Sequence, residues 1–392
     1  MQFRRVLPYL AGMAVGAAVV LGYNSIPTKQ STSSQPPQSL VSQKNIYPFK
    51  KQETVKQPAY QLQKKPQIEE KTKDESSYQP RIKVGEMRRF EEGLGSLSVA
   101  ISPDGNYAIF ASQGDIYLRD IETWKEIDRF VGHNYTKRTP VTTLAFSKDG
   151  KFVISGSQDG TVRLWDVKSK EEIRRFRGET GALSHDNRHV LTGGSSGKLS
   201  LWDAATGKEI QPFIGHGEEE VNTVAFAPDG KTALSGSSDR FVYHWDVKTG
   251  KALRRFRHWD SVFSVAFSHD EKYGLSGGSD EVARLWDLAT GEEVHRLRHN
   301  SNIYSVAFSP DDCYAISAGY MTIRLWDVES GKETIQFSHS LASHVYSIAF
   351  SPDGLYALSG GSDNIRLWRL PFSKETESRS NGKICRKLIK TP

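Results

Sequence analysis

Seven segments of this 392-residue chain end alike at a nearly constant interval. They close on Arg119-Asp120, Trp165-Asp166, Trp202-Asp203, Trp245-Asp246, Trp286-Asp287, Trp326-Asp327 and Trp368-Arg369, in steps of 46, 37, 43, 41, 40 and 42 residues. A period of this size marks a supersecondary unit that cannot bury its apolar face alone and must stack on copies of itself. Each unit holds three short apolar runs separated by turns. Residues 221–246 read VNTVAFAPDG, KTALSGSSD and RFVYHWD. Pro-Asp-Gly and Ser-Ser-Asp are turn chemistry, and the β-branched, alternating runs between them are strands. A fourth run follows each Trp-Asp, as in KALRRF at 251–256. The expectation is an all-β array of four-stranded sheets.

The combination of Gly-His, SVAFSPDG, LSGSSD and RLWD segments resembles the WD-repeat proteins, over roughly residues 85–370. That resemblance implies a seven-bladed WD-repeat β-propeller around a central channel. Residues 85–90, GEMRRF, repeat the fourth-strand pattern of GKALRRF at 250–256. No such strand follows Trp368, and Pro371 cannot donate to a ladder. The ring is therefore expected to close by pairing residues 85–90 with the last unit, which removes a free edge.

Four units carry a recurring polar set: His133, Ser155, Asp159 and Trp165; His216, Ser235, Asp239 and Trp245; His258, Ser276, Asp280 and Trp286; His339, Ser359, Asp363 and Trp368. Ser, His and Asp together invite a nucleophilic reading, but that needs one exposed serine with an oxyanion hole. An active site does not come in four copies at sheet spacing. The set instead resembles the family's structural tetrad, in which Asp orients His, His bonds Ser, and Ser takes the Trp indole N–H. Gly193-Gly194-Ser195-Ser196-Gly197 matches G-x-S-x-G in form only, because it lies between two strands rather than in a strand–helix elbow. No metal-ligand spacing or phosphate-binding loop is present in the sequence, so no cofactor and no enzymatic activity are expected. The first unit has Arg119 for Trp, the third has Ser196 for Asp and lacks the His, and the sixth has Met321 for Asp.

The net charge of +6 hides a division. Residues 85–370 hold 33 Lys/Arg against 39 Asp/Glu, a net of −6. Residues 1–84 hold 13 against 5 and residues 371–392 hold 6 against 2. An acidic body argues against a nucleic-acid partner, since phosphate neutralisation supplies most of that affinity. Residues 1–26 contain Arg4 and Arg5, then an uncharged apolar run from Val6 to Tyr23. This reads as a single-pass membrane anchor, with a cleaved signal segment as the alternative. The arginines favour N-terminus inside, which would place the ring outside the cytoplasm, or secreted or periplasmic if cleavage occurs. Residues 27–84, rich in Pro, Gln, Ser and Lys, read as a disordered linker. Residues 371–392 form a basic tail, left open between disorder and docking. Cys313 and Cys385 read as two separate thiols, with one optional bridge between them left open.

Loops on a rigid scaffold are where binding usually lives. The Gly-His face carries Arg240, Trp259, Tyr320, Tyr135, Lys137 and Arg138, residue types enriched in interface hot spots. The family's usual role in assembly implies a non-enzymatic scaffold for protein or peptide partners. The alternative is a small-molecule or catalytic ring using the channel mouth. The repeated Arg-Arg of the fourth strands, at 88–89, 174–175 and 254–255, reads as a solvated rim.

Overall fold

The computed structural model describes residues 84–90, 98–112, 114–134, 139–339, 343–379 and 381–389. The anchor, nearly all of the linker, and Tyr135, Lys137 and Arg138 lie outside the described residues. Seven antiparallel four-stranded sheets follow one another along the chain. Blade two shows the plan: an inner strand Val141–Phe146, a second Phe152–Ser157, a third Thr161–Asp166 and an outer strand Glu172–Arg177. The middle strands are almost wholly buried, because neighbouring blades cover both their faces. The outer strands are exposed except for one inward residue. Alternation thus fades exactly where burial is two-sided, as sheet packing requires.

Blade seven consists of Val345–Phe350, Tyr356–Gly361 and Ile365–Arg369, and its fourth strand is Gly85–Phe90, paired antiparallel with Ile365–Arg369. Both chain regions therefore share one sheet and the ring has no open blade. One aromatic joint recurs between blades. The unit-ending tryptophan packs on the inward residue of the preceding outer strand: Trp165 on Phe130, Trp202 on Phe176, Trp245 on Phe213, Trp286 on Phe256 and Trp368 on Phe337, with ring centroids 5.0–5.9 Å apart. Blade one has Arg119 in that place. There Trp124, five residues later, stacks on Phe90 at 3.6 Å. The ring-closing joint keeps its aromatic pair by another route, a contact worth about 1 kcal/mol beyond its buried area.

The arginine rim does more than meet solvent. In each outer strand the register slips by one residue, at Met87, Ile127, Ile173, Ile210, Leu253, Val294 and Thr334. Such bulges bend an edge away from further pairing. The next side chain reaches the following blade. Arg174 donates to Ala205 O at 2.7 Å, Arg254 to Leu288 O at 3.1 Å, and Arg88 to Glu122 O. The second arginine often folds back on a glutamate of its own strand, as Arg175 does on Glu172 at 3.0 Å.

On the channel side, one hydroxyl per blade occupies the same register: Ser98, Thr143, Thr180, Thr223, Ser264, Ser305 and Ser347. Several tie neighbours together. Ser347 Oγ accepts Val99 N–H at 3.1 Å, Ser264 accepts Val306 N–H at 3.1 Å, and Ser305 accepts Ile348 N–H at 3.2 Å. These bonds satisfy backbone donors on the inner strands' free edges.

The tail is structured. Phe372–Ser378 and Ile384–Leu388 form a hairpin docked on blade six. Phe372 is fully buried, 4.5 Å from the Tyr314 ring. Arg379 pairs with Asp327, Lys383 with Asp270 at 2.8 Å, and Arg386 N–H donates to Asp311 at 2.8 Å. The reading of Cys313 and Cys385 as separate thiols is corrected: they form a disulfide across 72 residues of sequence, with both side chains buried. Nothing local in either segment signals it, since only the hairpin's docking brings the two together.

Candidate interaction face

Turns after the second strands and loops before the inner strands meet on one face, and the tetrads hold them there. In blade two, His133 Nδ1 lies 2.9 Å from Asp159, its Nε2 2.7 Å from Ser155 Oγ, and Trp165 Nε1–H donates to the same Oγ at 2.8 Å. The corresponding distances are 2.7, 2.6 and 2.8 Å for His216, Asp239, Ser235 and Trp245 in blade four. In blade five they are 3.2, 2.7 and 2.8 Å for His258, Asp280, Ser276 and Trp286. Blade seven is looser: His339 stands 3.4 Å from Ser359 and 3.5 Å from Asp363, while Trp368 donates to Ser359 at 2.9 Å. All four serines are fully buried. Their hydroxyls are held by the indole and the imidazole in a closed site, so they lack the access a nucleophile needs.

In blades two, five and seven the network continues through an arginine on the third strand. Arg284 bridges Asp280 and Glu293, both at 2.7 Å. Arg163 bridges Asp159 at 3.4 Å and Glu172 at 2.8 Å. Arg366 bridges Asp363 at 3.1 Å and Glu86 at 2.7 Å, which ion-pairs the ring-closing strand into blade seven. Burial pushes the Asp280 carboxyl up, but hydrogen bonds from His258, Arg284 and the Trp259 N–H outweigh it and hold the group well below the usual range. Burial holds His258 and His133 below their ordinary values despite the aspartates, so both are neutral relays at pH 7. The sequence carried a signal for this extension: Arg two residues before Trp, and Glu nine residues after that Arg, as in Arg163/Glu172, Arg284/Glu293 and Arg324/Glu333.

Blade six lacks the aspartate, and the reading of Met321 in its place is corrected: with φ +63° and its carbonyl accepting the His339 N–H at 2.7 Å, Met321 matches Arg240, the residue after the aspartate of blade four. Trp326 still donates to Ser317 at 2.8 Å. His299, absent from the sequence reading, occupies the tetrad position; it is buried and neither ring nitrogen has a side-chain partner. Burial and the nearby Arg324 push its pKa down to about 4. Blade three replaces the serine with Thr192, whose Oγ1 accepts the Trp202 indole at 2.9 Å.

Above this frame, Trp259 is 69% exposed although its own N–H is fixed to Asp280 at 3.0 Å, and the Arg257 guanidinium lies 5.5 Å from its ring. Arg240 is exposed with φ +74°, and its carbonyl accepts His258 N–H at 2.8 Å, which sets it beside the Trp259 loop. Tyr320 is 38% exposed and belongs to a different group: it bridges to His344, with rings 4.9 Å apart. Sequence reading missed the company Tyr320 keeps. Phe263, Tyr304, His344 and Tyr346 are half-buried on inner strands and loops of blades five to seven, and looked like ordinary strand alternation.

Comparison with known proteins agrees with this geometry. The family described as "WD domain, G-beta repeat" matches residues 124–166, 207–246, 250–287, 291–327 and 334–369. The units left unmatched, the first and third, are those whose tetrads are most altered. The chain is 34% identical over 85 residues to "Protein ROOT INITIATION DEFECTIVE 3" of Arabidopsis thaliana, covering 21% of this chain and 18% of that protein. It is 44% identical over 75 residues to human "WD repeat-containing protein 18", covering 16% of each. It is 32% identical over 78 residues to the "Target of rapamycin complex subunit wat1" of Schizosaccharomyces pombe, covering 20% of this chain and 24% of that protein. The matched segments thus span less than a quarter of these relatives. Matched repeats, indole–serine–histidine relays and four-stranded blades closed into a ring make this chain a member of the WD-repeat family.

Proposed function

We propose that this protein is a non-enzymatic scaffold that holds partner proteins or peptides against the face bearing Arg240, Trp259 and Tyr320. The observation that carries this reading is Trp259. Its backbone is tied to the tetrad carboxylate of Asp280 while its indole stands 69% exposed. A rigidly presented tryptophan is an anchor that loses little entropy on binding. One relative's printed name makes it a complex subunit, which fits an assembly role. The test is crosslinking capture from native cells with the full chain and with a variant carrying Arg240→Ala, Trp259→Ala and Tyr320→Ala, both checked for folding by circular dichroism. A specific protein captured by the first and lost by the second is the expected result. Capture of nothing by either form would overturn the scaffold reading.

The same proposal holds the ring outside the cytoplasm, tethered through residues 1–26. The Cys313–Cys385 disulfide supports this, because such bonds persist in oxidising compartments. Alkylation of intact and lysed cells with a membrane-impermeant thiol reagent, before and after reduction, measures it. Free cysteines protected inside intact cells would sink the idea.

A further inference from the structure

The central channel opens on the same face, and its rim is uneven. It is a cavity of about 610 Å³ touched by the inner strands of all seven blades. One residue before each channel hydroxyl, the inner strands of blades five, six and seven slip register and set an aromatic side chain at the rim: Phe263, Tyr304 and Tyr346. Phe263 stacks on Tyr304 at 5.7 Å and 14°. Tyr304 meets Tyr346 edge-on at 5.3 Å. His344 lies parallel to Tyr346 at 5.7 Å, and Tyr320 packs on His344. The rings form one continuous wall across three blades, only half covered. A π wall attracts apolar groups and, through its quadrupole, cations.

The other side of the rim decides between these. In blade three the equivalent position is Glu179, whose side chain lies against Gly194; the Gly194 carbonyl accepts the Val221 N–H at 3.0 Å, which sets Glu220 beside it, and burial with the Glu179 charge pushes the Glu220 carboxyl up. Glu179 accepts the Ser195 hydroxyl at 2.7 Å. Among the described residues no cation balances this pair: the charge acting on Glu220 is that of Glu179. Glu218 and Glu219, both exposed, extend the negative sector. Two carboxylates crowded in a partly desolvated place are relieved by a positive charge, not by an apolar or anionic group. Aromatic wall and carboxylates thus share one complement.

Resting on the scaffold reading above, we propose that the channel mouth receives a lysine or arginine side chain from an exposed segment of the partner, its cationic head against Tyr304 and Tyr346 and facing Glu179 and Glu220. An anionic segment is repelled by the carboxylates, and a neutral one leaves them uncompensated.

The probes are four dye-labelled heptapeptide pools with identical Ala/Ser/Gly flanks and Arg, Lys, Gln or Glu at the centre, titrated with the full chain by fluorescence anisotropy. The Arg and Lys pools should bind about tenfold more tightly than the Gln pool, with the Glu pool weakest. Tyr304→Ala should weaken the Arg pool about fivefold to tenfold. Glu179→Gln with Glu220→Gln, isosteric changes that remove the charge and keep an acceptor for the Ser195 hydroxyl, should remove most of the preference for Arg over Gln. Equal binding of all pools, or a preference that survives the paired glutamine substitutions, overturns the proposal. If no pool binds while capture through Trp259 persists, the mouth chemistry is wrong and the scaffold stands. If the Arg pool binds as described but capture fails, the mouth chemistry stands without that scaffold face.

Discussion

Blades five and six are neighbours cut from one pattern, yet they are held by different means. Blade five has the full relay from Trp286 through Ser276, His258 and Asp280 to Arg284 and Glu293. Blade six keeps Trp326, Ser317, Arg324 and Glu333, but its turn is one residue shorter and supplies no aspartate, so His299 is stranded. In exchange, blade six is clamped from the opposite face by the C-terminal hairpin and its disulfide, while blade five receives one ion pair from the same hairpin, Lys383 to Asp270. A repeat can thus lose an internal strut when an external one is available. A nearest-neighbour ring then distributes the load.

The clamp is the larger of the two devices. Closing a 72-residue loop restricts the unfolded chain by about 4 kcal/mol on the loop-entropy account. Cys385→Ser should therefore lower stability by about 4 kcal/mol in urea titration, and reductant should then have no further effect. A loss under 1 kcal/mol would mean the hairpin's ion pairs and Phe372 hold blade six without the covalent bond. The same comparison breaks from the other side with Asp280→Met, which takes from blade five the carboxylate that blade six lacks. It removes a partner from His258, Arg284 and the Trp259 N–H at once. Breaking a buried pair costs ~3–5 kcal/mol, and about 3 is expected here because Glu293 still holds Arg284. Hydrogen exchange should show the loss centred on the Trp259 loop. An unchanged loop would show that the aspartate does not position that tryptophan.

Much of this was legible in the sequence. The seven Trp-Asp-like endings, the turn chemistry and the stray outer strand at 85–90 are local patterns, and they describe the ring and its closure. The four full tetrads were visible because every member recurs. What recurs only in part was hidden. His299 was passed over because Met321 broke its set, although it follows the same outer-strand ending as His258. The Arg–Glu extension needs two strands side by side, and in blade seven its glutamate, Glu86, lies 280 residues from Arg366. The aromatic rim was disguised as strand alternation, since a bulge, not composition, turns those rings toward the channel. The tail's docking stayed open because, among its described residues, burial falls only on Pro371, Phe372 and Cys385.

Acid separates the blades by a smaller margin. The folded His299 has a pKa near 4 against an ordinary value of 6.5, so the unfolded chain takes the proton first. Its contribution to stability is intact above pH 6.5, falls as pH drops from 6.5 toward 4, and changes no further below that. The stranded ring should account for about 2 kcal/mol of the loss between pH 7 and pH 4.5. His299→Gln should shrink that loss accordingly. Equal acid sensitivity in the variant would assign the effect to the other buried histidines, His244 and His339, whose values also lie near 4.

The smallest expected effect is the most discriminating. Inserting an aspartate between Tyr320 and Met321 would rebuild the missing strut, because Trp326 follows Ser317 by 9 residues where the tryptophans of blades two, four and five follow their serines by 10. Met321 itself, with φ +63° and its carbonyl accepting the His339 N–H, matches Arg240 and Glu281, which follow the aspartate in blades four and five, so the inserted residue would take the vacant place before it. Two groups there lack partners, the His299 ring and the buried Nε of Arg324. In blades two and five the corresponding carboxylate serves both the histidine and the arginine. A new buried charge is costly alone, but this one would arrive with a donor on each side. The net gain should be about 1 kcal/mol at pH 7, together with a raised His299 pKa visible by NMR titration. The gain should also be larger in the Cys385→Ser background, if strut and clamp substitute for each other. Strictly additive effects would mean that they support blade six independently, and that the loss of the aspartate was never covered by the hairpin.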